Sequence, residues 1–230
     1  MRVGRNDKKT HEMKIVISCC NRKNGEPFQH NGNTINFISR VNEVEGNSNN
    51  LYCHPDDIIP DDNITWRELV ALQAVRDDLI SAHDLYRPNI YSSLYDNYGN
   101  DLFIFSAGWG IIRAEYKLPK YNITFSNGHN IPAYAKRNNN DIFNDFNQLI
   151  AVNDNEPILF MAGKDYVVPF CELTEGIPNN KIIVYSSQAV LNNNPYLNNP
   201  AFQFSHYQTN TRTNWHYEFA RRLINNEIEI

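Results

Sequence analysis

The chain has 230 residues, 41% of them hydrophobic, a formal charge of -5 and a pI near 5.8. That length buries a full core and fits one domain with insertions better than two complete ones, and the acidic balance argues against a protein that coats nucleic acid through bulk charge, so that any nucleic-acid contact must be made by a local basic cleft. Four cysteines, two of them adjacent at Cys19 and Cys20, do not make a secreted disulfide framework, and no apolar run approaches the roughly 18 residues of a membrane span, so a protein of the reducing cytosol with no membrane partner is expected.

Residues 1–13 lack periodicity, carry charge where a signal peptide would be apolar, and predict a loosely packed start. KIVISCC at 14–20 is a β-branched apolar run that fits a buried strand and stops abruptly at Asn21, Arg22 and Lys23. Three more runs share this shape: LFIFSAGWG from Leu102, PILFMAGKDY from Pro157 and KIIVYSSQ from Lys181. Strands buried on both faces and separated by helical stretches predict an α/β fold: a mostly parallel sheet of at least four strands with helices on both faces, in a single domain with a long insertion after the first strand. The strand endings then line one crevice, where open α/β sheets bind ligands.

The insertion, residues 24–62, is longer than compact domains usually connect with, and a partly ordered flap is expected. TWRE at 65–68 is a capping box, with Leu69, Leu72, Val75 and Leu79 on one face, which predicts a helix to about residue 83. Pro88 suits the first turn of a helix through Tyr98. Residues 134–152 are read as a polar helix striped by Ile142, Phe146, Leu149 and Ile150, and 213–227 as a C-terminal helix burying Trp215, Phe219 and Leu223. The many asparagines, as in NNND at 138–141 and LNNNPYLNNP at 191–200, are read as coding bias and loop composition.

Each strand ending offers candidate chemistry. After the first strand, Cys20, Asn21, Arg22 and Lys23 could hold a phosphate, Arg22 bidentately and Lys23 as a point charge. There is no GxxxxGK[ST], which disfavours ATP hydrolysis, and the alternative is that these are solvated charges beside a buried Cys19. Cys20 as a thiolate nucleophile, or a metal site from Cys19, Cys20, Cys53 and His54, ranks below simple packing because no partner histidine or ligand spacing accompanies them. After the second strand, Ser106, Gly108 and Gly110 allow close backbone approach, Trp109 is the stacking candidate with core packing as its alternative, and Arg113, Lys117, Lys120 and Tyr121 alternate cations with aromatic faces, as a nucleotide requires. Glu115 is a candidate acid or base here, with a salt bridge to Arg113 as its structural alternative.

Gly163, Lys164 and Asp165 end the third strand. Lys164 offers charge, and Asp165 is a second candidate acid or base, or a helix N-cap. Ser186 and Ser187 are donors or caps, and Thr211 to His216 could meet phosphate at a helix N-terminus. No metal and no cofactor is expected.

SCCNRK at 18–23, HDLYRPNIY at 83–91, and SAGWGII at 106–112 followed by LPKYNITF at 118–125 together resemble, in order and spacing, the YaaA-like superfamily of bacterial proteins. The match covers roughly the first 125 residues less the insertion. Two positions depart from the pattern: Asn122 stands where relatives carry an acid, and Gly108 with Trp109 replaces an aromatic or basic residue. The resemblance implies stress- or DNA-related biology, DNA or nucleotide partners, and chemistry on a nucleobase or N-glycosidic bond, as a glycosidase or transferase. The other readings are a non-catalytic DNA-binding stress or defence protein, and a protein-interaction partner built on an inactive nucleotide-binding sheet.

Overall fold

A computed structural model describes residues 13–45, 51–138, 140–150 and 155–230. Apart from Met13, the expected loose start lies outside these residues, as do parts of the Asn-rich stretches and of the insertion.

The strands in chain order are β1 (Lys14–Ser18), β2 (Phe28–His30), β3 (Asn33–Ile38), β4 (Tyr52–Cys53), β5 (Ile80–Ser81), β6 (Leu102–Ser106), β7 (Gly110–Arg113), β8 (Lys117–Leu118), β9 (Tyr121–Asn122), β10 (Phe146–Asn147), β11 (Ile158–Met161), β12 (Lys181–Tyr185) and β13 (Phe202–His206). The α-helices are α1 (Trp66–Ala71), α2 (Ala82–Leu85), α3 (Ile90–Tyr98), α4 (Val167–Thr174) and α5 (Trp215–Ile224). Seven strands form one sheet in the order β10-β7-β6-β1-β11-β12-β13. Every neighbouring pair is parallel except β6 with β7, so the sheet is mostly parallel, with helices on both sides in a single α/β domain.

The four expected strands are its centre, because runs such as Ile15, Val16 and Ile17 or Phe103, Ile104 and Phe105 have no face that tolerates water. On one face Phe170 of α4 stacks on Phe160 with ring centroids 3.9 Å apart and meets Phe105 edge-on at 6.2 Å. Burying each such side chain contributes about 1.5–3 kcal/mol. At the amino edge Lys14 is neutralised by Asp101 at 2.8 Å and Glu156 at 2.6 Å.

The order of the central strands positions the site. From β1 the chain reaches β6 on one side and later β11 on the other, so the order reverses at β1 and opens a switch-point crevice at its carboxyl end.

Three expectations are corrected. The insertion is expected as a partly ordered flap, but its described part belongs to the core: it forms β2, β3 and β4, and Phe28 and Phe37 are fully buried against Trp66 and Trp109, Phe37 lying 5.3 Å from the Trp109 ring. The Thr65 capping box forms, with the Glu68 carboxylate accepting from Thr65 N at 2.7 Å, but the helix ends at Ala71. Leu72 and Val75 are 69% and 95% exposed, and Arg76 and Asp78 instead bind the β2 backbone at Gln29.

The expected helix over 134–152 is absent from its described residues. Asn and Asp bond local backbone in non-helical conformations. Asp145 is captured by Arg137, and Phe146 pairs with Gly110, whose φ of +92° admits no side chain because a Cβ would lie 2.2 Å from the Phe146 carbonyl. By contrast, the helices expected near 88–98 and 213–227 form as α3 and α5.

Candidate functional site

β1, β6 and β11 deliver their carboxyl ends side by side, and the residues that follow make a buried network of thiol, hydroxyl and ammonium groups. Cys19 Sγ lies 3.3 Å from Tyr166 Oη and accepts from Ala107 N at 3.4 Å. Ser106 Oγ donates to Tyr121 Oη at 2.8 Å, Tyr121 Oη lies 2.8 Å from Tyr86 Oη, and Trp109 N donates back to Ser106 Oγ at 3.2 Å. A parallel chain runs from Tyr217 Oη to Tyr91 Oη at 3.2 Å and on to the Ser18 carbonyl at 2.8 Å. Burial raises the pKa of Tyr86, Tyr121 and Tyr166 well above the ordinary phenol value, with Cys19 the next cause for each, so all three stay protonated donors at neutral pH.

Lys23 enters this network from the side. Its backbone bridges Tyr86, its side chain is only 4% exposed, and Nζ donates to the Cys20 carbonyl at 3.1 Å while lying 3.9 Å from the centre of the Tyr121 ring. Burial lowers its pKa, with Cys19 and Cys20 opposing and Lys120 reinforcing the effect. Lys23 is therefore not the surface phosphate anchor its neighbours suggested. Asn21 and Arg22 are exposed, and no described residue takes the Arg22 guanidinium, which leaves it available to an anion. Cys20 is half-buried and donates to the Arg22 carbonyl at 3.1 Å. Burial, with Cys19 beside it, raises the Cys20 pKa, the opposite of what a thiolate nucleophile needs.

The Ser106 to Gly110 turn is held rather than open. Arg67 is 4% exposed; it donates to the carbonyls of Gly108 at 3.1 Å and Trp109 at 3.2 Å and pairs with Asp56. Arg137, also buried, donates to the Ala107 carbonyl at 2.8 Å and takes Asp145 in a fork of 3.0 and 2.6 Å. Trp109 is fully buried beneath Arg67, so packing and not base stacking is its role in this conformation. A Cβ on Gly108 would press on Tyr121 and Ile123 at 3.1 Å, so this glycine serves close packing.

The remaining candidates divide between the two edges of the sheet. Because β7 runs antiparallel to β6, it carries Arg113 and Glu115 to the amino edge, where Phe103 pairs Arg113 and Ala114 N donates to Leu102 O. There Arg113 reaches the Asn100 carbonyl at 3.3 Å, and Glu115 is exposed beside Tyr95. Neither faces the crevice. Tyr121 returns to it because β9 pairs with β3, which puts its neighbour Asn122 on the exposed side.

Gly163, Lys164 and Asp165 do lie at the carboxyl edge. Nothing stands within 4 Å of a Cβ built on Gly163, and Lys164 pairs with Asp165 at 2.9 Å. Both charged residues line a cleft of about 360 Å³ with Phe125, Asn127, Arg137 and Asn138. Ser187 caps the following turn through Ala189 N. The expected phosphate position before α5 is filled otherwise: Thr209 and Thr211 donate to Glu218, and Trp215 and His216 are buried.

Sequence reasoning assigned no role to Arg67, Arg137, Asp56 or the tyrosines at 86, 91, 166 and 217. A buried arginine carries no spacing signal that separates it from a surface one. The tyrosines had only their local apolar context to mark them, although Tyr86 and Tyr91 lie in the HDLYRPNIY segment.

Comparison with known proteins gives no matching family model, no matching curated protein and no matching solved structure.

Proposed function

We propose that the chain binds a nucleotide, free or within a nucleic-acid strand, at the carboxyl edge of its sheet, and acts on the N-glycosidic bond as the YaaA-like resemblance implies. The observation that carries this reading is the pairing of Lys164 with Asp165 at the carboxyl edge, where both line a cleft of about 360 Å³, with the exposed Arg22 following β1 on the same edge of the sheet. Cations suit phosphate, and a carboxylate suits a ribose hydroxyl or a proton transfer. The volume falls in the range of small-ligand sites.

Asp165 is the carboxylate assigned the acid–base or ribose-orienting role, since Glu115 lies at the other edge. Its pairing with a largely exposed Lys164 contributes little to stability, so its replacement leaves the fold intact. Asp165→Asn is expected to lower turnover on a nucleotide or oligonucleotide substrate by about 100-fold or more, the usual scale for a positioned acid or base. The check is release of free base by chromatography alongside an unchanged melting curve, and unaltered turnover would remove the role.

A second reading is a non-catalytic binder of nucleic acid, favoured by the lack, among the described residues, of a carboxylate hydrogen-bonded into the buried network around Cys19. It requires affinity that falls steeply with salt and no product at any enzyme concentration.

A further inference from the structure

We propose that the outer edge of β13 is a dimer interface, where a second copy of this chain adds its own β13 antiparallel across a two-fold axis and joins the two seven-stranded sheets into one.

The two edges of the sheet are built differently. β10 closes one of them with two residues, and its Asn147 side chain is spent on the Leu173 carbonyl. β13 closes the other with five, FQFSH, in unbroken register with β12, and no other strand pairs with it among the described residues. Gln203, Ser205 and His206 are exposed, and Phe204 is half-buried. Natural proteins blunt such an edge with lysine, proline, a bulge or a very short strand, and β13 has none of these.

Charge is missing well beyond the strand. Residues 182–211 hold no Asp, Glu, Lys or Arg, the longest such run in a chain that is 20% charged. Two copies that each carry a formal charge of -5 repel one another over most of their surface. Around β13 they can meet without setting like charges against each other, whereas a strongly charged partner strand would find no counter-charge there.

The backbone fixes the register. Ala201 O accepts from Lys181 N at 3.0 Å and Tyr207 N donates to Tyr185 O at 2.7 Å, so Gln203 and Ser205 between them also turn their amides and carbonyls toward β12. Phe202, Phe204 and His206 therefore turn theirs outward. The Phe202 amide is already given to Asn199 O at 3.0 Å, which leaves the amides of Phe204 and His206 and the carbonyls of all three. A two-fold axis at Phe204 matches these groups. Phe204 N donates to the carbonyl of the partner's Phe204, His206 N donates to the carbonyl of the partner's Phe202, and both bonds recur in the other direction. The carbonyl left over, His206 O, faces the one amide that Asn199 holds. In this register Phe204 lies opposite the partner's Phe204, and the Gln203 amide lies opposite the hydroxyl of the partner's Ser205, two favourable cross-strand pairs.

The test uses the full chain. Sedimentation velocity should show the mass rising from 26.7 kDa toward twice that value as concentration increases. Over the same range, residue-resolved hydrogen exchange should slow at the Phe204 and His206 amides and stay unchanged at Gln203 and Ser205, which β12 already holds. Gln203→Lys combined with Ser205→Lys sets lysine opposite lysine and should weaken association at least about 10-fold. The matching pair of glutamates should do the same, and mixing the two variants should restore a dimer. Both positions are exposed, so the melting curves stay close to that of the unaltered chain; should a variant unfold, the exchange pattern of the unaltered protein decides alone. A monomer at every concentration overturns the inference, whether the two amides exchange fast at an open edge or slowly beneath other residues of the same chain. A dimer that survives both charge variants, or that leaves exchange at Phe204 and His206 unchanged, places the interface elsewhere and overturns it as well.

Discussion

Replacing Arg67 with alanine is expected to destabilise the fold by about 3–5 kcal/mol, the scale for removing one partner of a buried ion pair. The residue is 4% exposed, and it donates to three acceptors: the Asp56 carboxylate, the Gly108 carbonyl at 3.1 Å and the Trp109 carbonyl at 3.2 Å. Alanine leaves the Gly108 carbonyl without its side-chain donor and the Asp56 carboxylate without its cation, although Asp56 keeps Asn144 N and the Trp109 carbonyl keeps Phe146 N, and it also removes the guanidinium packed 5.3 Å from the Trp109 and Phe146 rings. Lysine should recover only part of the loss, because an ammonium cannot reproduce the planar fork. Urea denaturation with an unchanged slope measures the effect, with Arg113→Ala as a surface comparison expected to cost under about 1 kcal/mol. Equal losses for the two variants would show that Arg67 does not anchor the turn. Since the whole fold is expected to be stable by only about 5–15 kcal/mol, Arg67→Ala removes a large fraction of it.

Acid should destabilise the protein through His216. This imidazole is 8% exposed, its Nδ1 has no hydrogen-bond partner, and burial lowers its pKa from 6.5 to about 4. The unfolded chain takes up the proton below its ordinary value near 6.5, but the folded chain does so only below about 4. Keeping His216 neutral therefore leaves stability intact above pH 6.5, erodes it as pH falls through this window, and levels off below about 4. Lowering the pKa from 6.5 to about 4 corresponds to about 3 kcal/mol. The adjacent Glu218 is held below the usual carboxylate range by Thr211, Tyr207 and Thr209, so its own contribution is lost at lower pH. His216→Phe should flatten the stability profile between pH 6.5 and 4 in chemical denaturation; the same slope in both proteins would contradict the assignment.

The sheet's centre was legible because strands buried on both faces need unbroken apolar runs, and β1, β6, β11 and β12 have them. β7 and β13 were not, since GIIR reads as a loop after a small-residue turn and FQFSH is half polar. Missing β7 had the largest consequence for the site: a hairpin there reverses the chain and takes Arg113 and Glu115 to the far edge, although in sequence they follow a strand ending that does line the crevice. The Asn-rich 134–152 stretch was misread because its apolar spacing matched a helix while Gly110 and Arg137, distant in sequence, claimed Phe146 and Asp145. Arg22, Lys164 and Asp165 were readable because strand endings alone place them. The burial of Lys23 was not, because it depends on Tyr86 and Tyr121 arriving from separate segments.

The central claim is that nucleotide chemistry occupies the carboxyl edge at β1 and β11. Hydrogen exchange of the full chain with and without a saturating 5′-phosphorylated single-stranded oligonucleotide tests it most directly. Slowed exchange is predicted at residues 20–24 and 163–166, with no change at 99–101 and 113–116 on the amino edge. Protection confined to the amino edge, or none at saturation, would contradict the account.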